Sequence, residues 1–149
     1  MRLFGLVGES EEERRVVLYR LVAELSGRGI RVATLHEALD GFDPDRPGKD
    51  SYEHRKAGAS EVLLMAPEMS ALMHENASAS PSLLELAALL EPADVILIDG
   101  FQASPHPKVR VGSAGGRCDA SVVASLDAAC VDIKALADLV QARAQGVAL

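Results

Sequence analysis

The chain has no tryptophan, two tyrosines and three phenylalanines, so aromatic residues fill only 3% of its 149 positions. A core with so few rings must be aliphatic, and at 48% hydrophobic content there are enough such side chains for one compact domain. Basic residues are also few: 15 Lys and Arg stand against 22 Asp and Glu, a net charge of −7. That balance argues against the broad positive surface used for nucleic acid or anionic membrane and leaves room only for a local basic patch. No apolar run approaches the ~18 residues of a membrane span and no signal-peptide pattern opens the chain, so a cytoplasmic protein is expected. Cys118 and Cys130 have neither a CxxC spacing nor histidines close by, and read as reduced, structural thiols.

What is present is organised around residues 2–15, RLFGLVGESEEERR. An apolar run over residues 3–7 stops at Gly8 and a helical pattern begins soon after. Strand, tight glycine turn and helix N-terminus is the arrangement that makes a phosphate site in P-loop proteins. The signature such a site requires is G-x-x-x-x-G-K-[ST], and counted from Gly8 its later positions fall on Glu13, Arg14 and Arg15. Glu13 puts a negative side chain where phosphate should approach the backbone. Arg14 keeps a positive charge without the compact ammonium of lysine, and Arg15 offers no oxygen to a metal. Ser10 to Glu13 also spells S-x-x-E, a capping box, and Glu11, Glu12 and Glu13 together complement the helix dipole. Two readings stand: a helix end satisfied by its own side chains, or partly retained nucleotide binding.

Val17, Leu18, Leu21, Val22 and Leu25 recur at helical spacing, with Gly27 and Gly29 as the stop. Residues 30–35 predict a second, buried strand, parallel to the first through a right-handed crossover. Residues 36–48 form an Asp-, Gly- and Pro-rich loop at the carboxyl end of that strand, where ligands gather in α/β sheets. His36, Glu37, Asp40, Asp43 and Asp45 could bind a metal, but their spacing matches no defined ligand set, and a solvated acidic loop is the plainer account. Asp50 or Ser51 caps a short helix that runs to Lys56 and closes at Gly58. Lys49, Arg55 and Lys56 make the densest basic cluster, either a solvated face or part of a site beside the glycine-bearing loop.

Residues 61–66 and 69–74 read as short strands split by Pro67, a hairpin. After a loop at 77–80, Ser80 and Pro81 start a helix carrying Leu83, Leu84, Leu86, Ala87 and Leu90. The apolar strand at 94–98 ends in Asp99, Gly100 and Phe101, the Walker B arrangement in which a carboxylate holds magnesium or its water, though acids at strand ends also occur without that role. Residues 108–111 and 121–124 are strands around a Gly-rich loop at 112–116, and Asp132 opens an amphipathic helix with Ile133, Leu136, Ala137 and Val140 on one side. No repeat or linker interrupts the chain. The expectation is a single domain over residues 1–149, an α/β fold: a P-loop NTPase-like three-layer sandwich with a mostly parallel central sheet.

Read together, residues 45–59, DRPGKDSYEHRKAGA, resemble the MobB family of molybdenum-cofactor biosynthesis adaptor proteins. The likeness extends to the N-terminal strand, turn and helix, to ALMHE at 71–75, ILIDGF at 96–101 and HPKVRV at 106–111, nearly the whole chain. That family consists of P-loop GTP-binding proteins, usually dimeric, that assist the guanylyltransferase MobA in attaching GMP to molybdopterin. The resemblance implies GTP and Mg2+ as cofactors, delivery of GTP with hydrolysis absent or very low, a homodimer, and a MobA-like guanylyltransferase or other molybdenum-cofactor enzyme as partner. It assigns Gly8, Ser10, Arg14 and Arg15 to the phosphate loop and Asp99 to the Walker B acid beside the metal. Lys49, Asp50 and Ser51, with Arg55 and Lys56, match the central motif near nucleotide or pterin.

The departures concentrate in one region. Besides Glu13, Arg14 and Arg15, the family's lysine-histidine and paired histidines after strand two are here His36, Glu37, Leu39 and Asp40, and a lysine after the strand-five motif is Gln102. Phosphate, metal and histidine chemistry change together. Three functions follow from these residues: a GTP-binding adaptor with Arg14 in place of lysine, a nucleotide-free interaction module docking on a cofactor-handling enzyme, or a small-molecule kinase or GTPase. The last needs a magnesium hydroxyl ligand that the loop does not supply.

Overall fold

The aliphatic run RLFGLV forms the central strand β1 (Arg2–Val7), five of its six residues buried. The computed structural model describes all residues except 39–40, 42–43, 76–80, 113–119 and 148–149. After β1 come α1 (Glu11–Gly27), β2 (Val32–His36), α2 (Asp50–Lys56), β3 (Glu61–Ala66), β4 (Met69–His74), α3 (Leu83–Ala88), β5 (Val95–Asp99), β6 (Lys108–Val111), β7 (Val122–Leu126), α4 (Ile133–Arg143) and β8 (Gln145–Gly146). They fall into two compact units, Met1–Glu37 with Ser82–Leu149, and Ala38–Pro81.

In the first unit the strands lie in the order β2-β5-β1-β6-β7, all parallel, and β8 pairs antiparallel with the start of β1. Strand alternation sorts the aliphatics onto two faces. Phe4, Leu6, Leu97, Val109 and Val111 pack against Val17, Leu21 and Leu25 of α1 and Leu136, Ala137 and Val140 of α4. Leu3, Ile96 and Ile98 face the other way, onto Leu83 and Ala87 of α3. Two helical layers on one parallel sheet is the expected α/β sandwich. The helix ends follow local chemistry: Asp132 accepts the N–H groups of Lys134 and Ala135 at 3.0 and 3.1 Å at the start of α4, and Gly29 leaves α1 with φ +77°.

Several expected boundaries move. The second strand begins at Val32 and includes His36, and it is only partly buried because it is the sheet's edge rather than an inner strand. The third helix is capped by Ser82, with Ser80 outside the described residues, and Leu90 lies past its end. The Gly-rich loop beyond Gly112 and Cys118 also lie outside them, while Cys130 is an exposed free thiol. The short strand β8 was not expected at all.

The second unit holds α2 and the β3–β4 hairpin, paired from Glu61↔His74 to Ala66↔Met69 around Pro67 and Glu68. Leu63, Leu64, Met65, Met69 and Leu72 are all exposed on this hairpin. Among the described residues no helix is long and apolar enough to cross a membrane.

Candidate functional site

Parallel pairing sets the carboxyl ends of β1, β5 and β2 side by side, with the first turn of α1 above them. Gly8 turns the chain there with φ +153°, and a Cβ on it would lie 2.1 Å from the Val111 carbonyl oxygen, so the end of β6 approaches too closely for any side chain. Ser10 is the N-cap of α1, its Oγ accepting the Glu13 N–H at 3.2 Å. The expected capping box is half made. Glu13 does not reach back to Ser10; its carboxylate lies toward Gly112, where an added Cβ would meet Oε2 at 3.2 Å. The full reciprocal box forms instead at α3, between Ser82 and Glu85.

Arg14 is turned inward. Its Nε donates to Asp99 Oδ1 at 2.6 Å and its Nη1 donates to the Gly8 carbonyl. The other carboxylate oxygen of Asp99, Oδ2, accepts from His36 Nδ1 at 2.9 Å. The Asp99 side chain is 4% exposed and that of Arg14 15%, so this is a largely buried ion pair in which both acid oxygens are engaged. Sequence reading placed Arg14 and Asp99 in separate motifs and gave His36 no partner; the fold brings the three together across 85 positions.

Glu37 has a role that its acidic-loop surroundings concealed. Its carboxylate accepts the Phe101 N–H at 2.6 Å and its own N–H donates to the Asp99 carbonyl at 3.0 Å. Gly100 (φ +110°) and Phe101 (φ 48°) both sit in left-handed backbone, and Glu37 holds this turn at the end of β5. The only sequence signal was an acid one residue past the strand.

Among the described residues, clefts lie beside the turn at Gly8 and beside Asp99. One of about 210 Å³ lies between Gly8, Glu9, Ser10 and Glu13 on one side and Arg110, Val111 and Gly112 on the other. The second, about 300 Å³, is lined by Arg15, Tyr19, His36 and Asp99 among others. A divalent ion held in the P-loop manner needs a hydroxyl at the position of Arg15 and an available carboxylate at Asp99. The chain presents a guanidinium at the first and a doubly engaged acid at the second, and Glu13 stands where a second glycine would admit phosphate. These residues do not fit GTP with Mg2+. Among the described residues no three His, Cys, Asp or Glu side chains converge as a metal set; Asp40 and Asp43, in the loop read as a solvated acidic one, lie outside them.

In the second unit the central motif divides between inner and outer residues. Neither Asp50 nor Ser51 caps α2, whose N-cap is Lys49 without a side-chain bond. Ser51 is buried and donates to Asp45 Oδ1 at 2.8 Å, so its hydroxyl is spent inside the motif. Arg55 reaches Asp45 at 3.6 Å and Glu75 at 3.4 Å, which removes it from the expected basic cluster. Lys56 sits 5.4 Å from the Tyr52 ring centre. Lys49, Asp50 and Lys56 are the exposed members.

The first unit also buries an unexpected polar layer beside β1. Lys108 is fully buried and its Nζ donates to the carbonyls of Gln102 and Ser104, pinning the turn before β6. His106 is 2% exposed, neither ring nitrogen has a hydrogen-bond partner among the described residues, and a Cβ on Gly5 would strike its Nε2 at 2.3 Å. Burial first, and the Lys108 charge second, push the His106 imidazole down from 6.5 to about 4.

With this geometry in place, comparisons with known proteins bear on it. The sequence matches the family described as Molybdopterin guanine dinucleotide synthesis protein B over residues 3–133. It is 32% identical over 112 residues to the molybdopterin-guanine dinucleotide biosynthesis adapter protein of Haemophilus influenzae, covering 72% of this chain and 61% of that protein. It is 33% identical over 110 residues to the Escherichia coli protein of the same name, covering 72% and 63%. The aligned part of the chain thus spans just over three fifths of these curated relatives. The crystal structure of Bacillus subtilis MobB superposes with a TM-score of 0.69 at 20% identity, covering 99% of this chain and 100% of that one, a likeness of fold.

Proposed function

The chain belongs to the molybdopterin guanine dinucleotide synthesis protein B family, and from that premise we propose that it is an adaptor in molybdenum-cofactor assembly that engages its partner enzyme by surface contact, without carrying GTP and Mg2+. The observation that carries this reading is the commitment of Arg14 to Asp99 and Gly8, which leaves the phosphate-loop cation facing inward. Glu9 and Glu13 line the cleft beside the turn, so their carboxylates oppose a polyphosphate there. With a guanidinium where the metal's hydroxyl ligand would stand and Asp99 already engaged by Arg14 and His36, hydrolysis is expected to be absent or very low.

The adaptor reading also gives the hairpin a purpose. A two-stranded hairpin is marginal on its own, and the pairing register puts the exposed Leu63, Met65 and Leu72 together on one face of this one. We assign that surface to association with a second copy, making the working form a homodimer, and the exposed Lys49, Asp50 and Lys56 to contact with a MobA-like guanylyltransferase. The test is capture of the purified guanylyltransferase of molybdopterin guanine dinucleotide synthesis on the immobilised chain, with and without GTP and Mg2+. Capture equal in both conditions is expected, with light scattering giving the mass of two copies. Capture that requires the nucleotide, or none in either condition, would refute the proposal.

A further inference from the structure

We propose that the Arg14 guanidinium is a built-in counter-ion that takes over the position of a divalent metal at Asp99 and neutralises that carboxylate, so that the chain closes its own phosphate-loop junction and needs no cation to do so. All members of the pair lie in one unit, Met1–Glu37 with Ser82–Leu149, and the inference rests on the nucleotide-free reading proposed above. A buried carboxylate at the end of β5 is costly unless positive charge sits against it. In a working P-loop that charge comes from the metal and is shared with the nucleotide. Here it comes from Arg14 at 2.6 Å, with His36 at 2.9 Å on the second oxygen.

The same guanidinium donates to the Gly8 carbonyl, so one side chain ties the first turn of α1 to the ends of β1 and β5, and His36 extends the tie to the end of β2. These are the segments that a nucleotide with its metal would otherwise bridge. Arginine suits the task because its planar fork serves two acceptors at once and it does not lose its proton in any ordinary pH range. Metal and Arg14 therefore compete for the same oxygens, and the internal group is always present. Arg15, which makes no ion pair among the described residues, adds a second positive charge at the lip of the neighbouring cleft and opposes a cation further.

The test uses Mn2+ as the probe on the full chain, read by the loss of its free-ion electron paramagnetic resonance signal and by the thermal midpoint. Wild type is expected to leave the signal and the midpoint unchanged at millimolar Mn2+. Arg14→Met and Asp99→Asn should each lower the midpoint, the former by roughly 6–12 °C because it leaves an uncompensated buried carboxylate. The double variant's loss should be clearly smaller than the sum of the two single losses, since both remove one interaction. Arg14→Lys, which keeps the charge but not the fork, should recover only part of the loss. Saturable Mn2+ binding by wild type that Asp99→Asn abolishes would overturn the proposal, as would additive losses or an Arg14→Met midpoint equal to wild type. Should Asp99→Asn fail to fold, wild-type Mn2+ binding that Arg14→Lys strengthens would overturn the proposal equally, and its absence from both chains would support it.

Discussion

A Gly8→Ala chain is expected to be less stable than wild type by about 3 kcal/mol or more, the result of two effects that act at one atom. At φ +153° an L-residue is strained by itself, a cost of roughly 1–3 kcal/mol. The added Cβ would also lie 2.1 Å from the Val111 carbonyl oxygen, and because that oxygen is backbone, β1 and β6 must separate to admit it. Urea unfolding followed by far-UV circular dichroism suits a protein without tryptophan, and the midpoint should fall by about 1–3 M. Gly27→Ala is the control: nothing lies within 4 Å of its Cβ position, and at a helix end the change should be neutral or slightly stabilising. A Gly8→Ala midpoint within about 0.3 M of wild type would show that the close approach to β6 is wrong.

Acid should weaken the fold before its carboxylates titrate. The His106 imidazole holds its proton only below about 4 in the folded chain and below 6.5 when unfolded. Between those values the unfolded chain binds a proton that the native one refuses, so stability is full above 6.5 and declines as pH falls toward 4. The total loss is on the order of 3 kcal/mol, and below pH 4 this group contributes no further change. Lys108, the charged neighbour, adds to the effect by repelling the imidazolium. Asp94 and Glu85, both held below their usual range by hydrogen bonds, protonate only further down and do not account for a slope between pH 6.5 and 5. A His106→Leu chain should lose most of the slope in that window. An unchanged slope would place the titrating group elsewhere.

How much could be read from the residues alone depended on whether the cause was local. The hairpin at 61–66 and 69–74 and the strand at 108–111 emerged with the expected limits, because apolar runs bounded by proline and glycine announce themselves within a few positions. Strand order did not. Residues 30–35 looked like a buried strand, yet β2 became an edge once β5, more than 60 residues later, inserted between it and β1. The two S-x-x-E sequences show the same limit: Ser82 with Glu85 closes a full box, whereas the Glu13 carboxylate lies toward Gly112, a contact with a distant strand end that local pattern cannot reveal.

The residues named for the site lie close together, but how they pair was not legible. Gly8, Ser10, Arg14 and Asp99 were all named from motif logic, and the parallel sheet does gather them at one edge. The pairing of Arg14 with Asp99 was hidden because it joins positions 85 residues apart and runs against what either motif implies by itself. Ser51 and Arg55 carried the opposite lesson: they belong to the most distinctive string in the chain, yet their polar groups are directed at Asp45 and hold that string in shape.

The most direct test of the account is calorimetric titration of GTP into the purified chain with Mg2+ present. If Arg14 and the glutamates of the α1 turn close the junction from within, no saturable heat should appear up to about 1 mM nucleotide, corresponding to binding weaker than roughly 4 kcal/mol. Micromolar binding that strengthens when Mg2+ is added would contradict it.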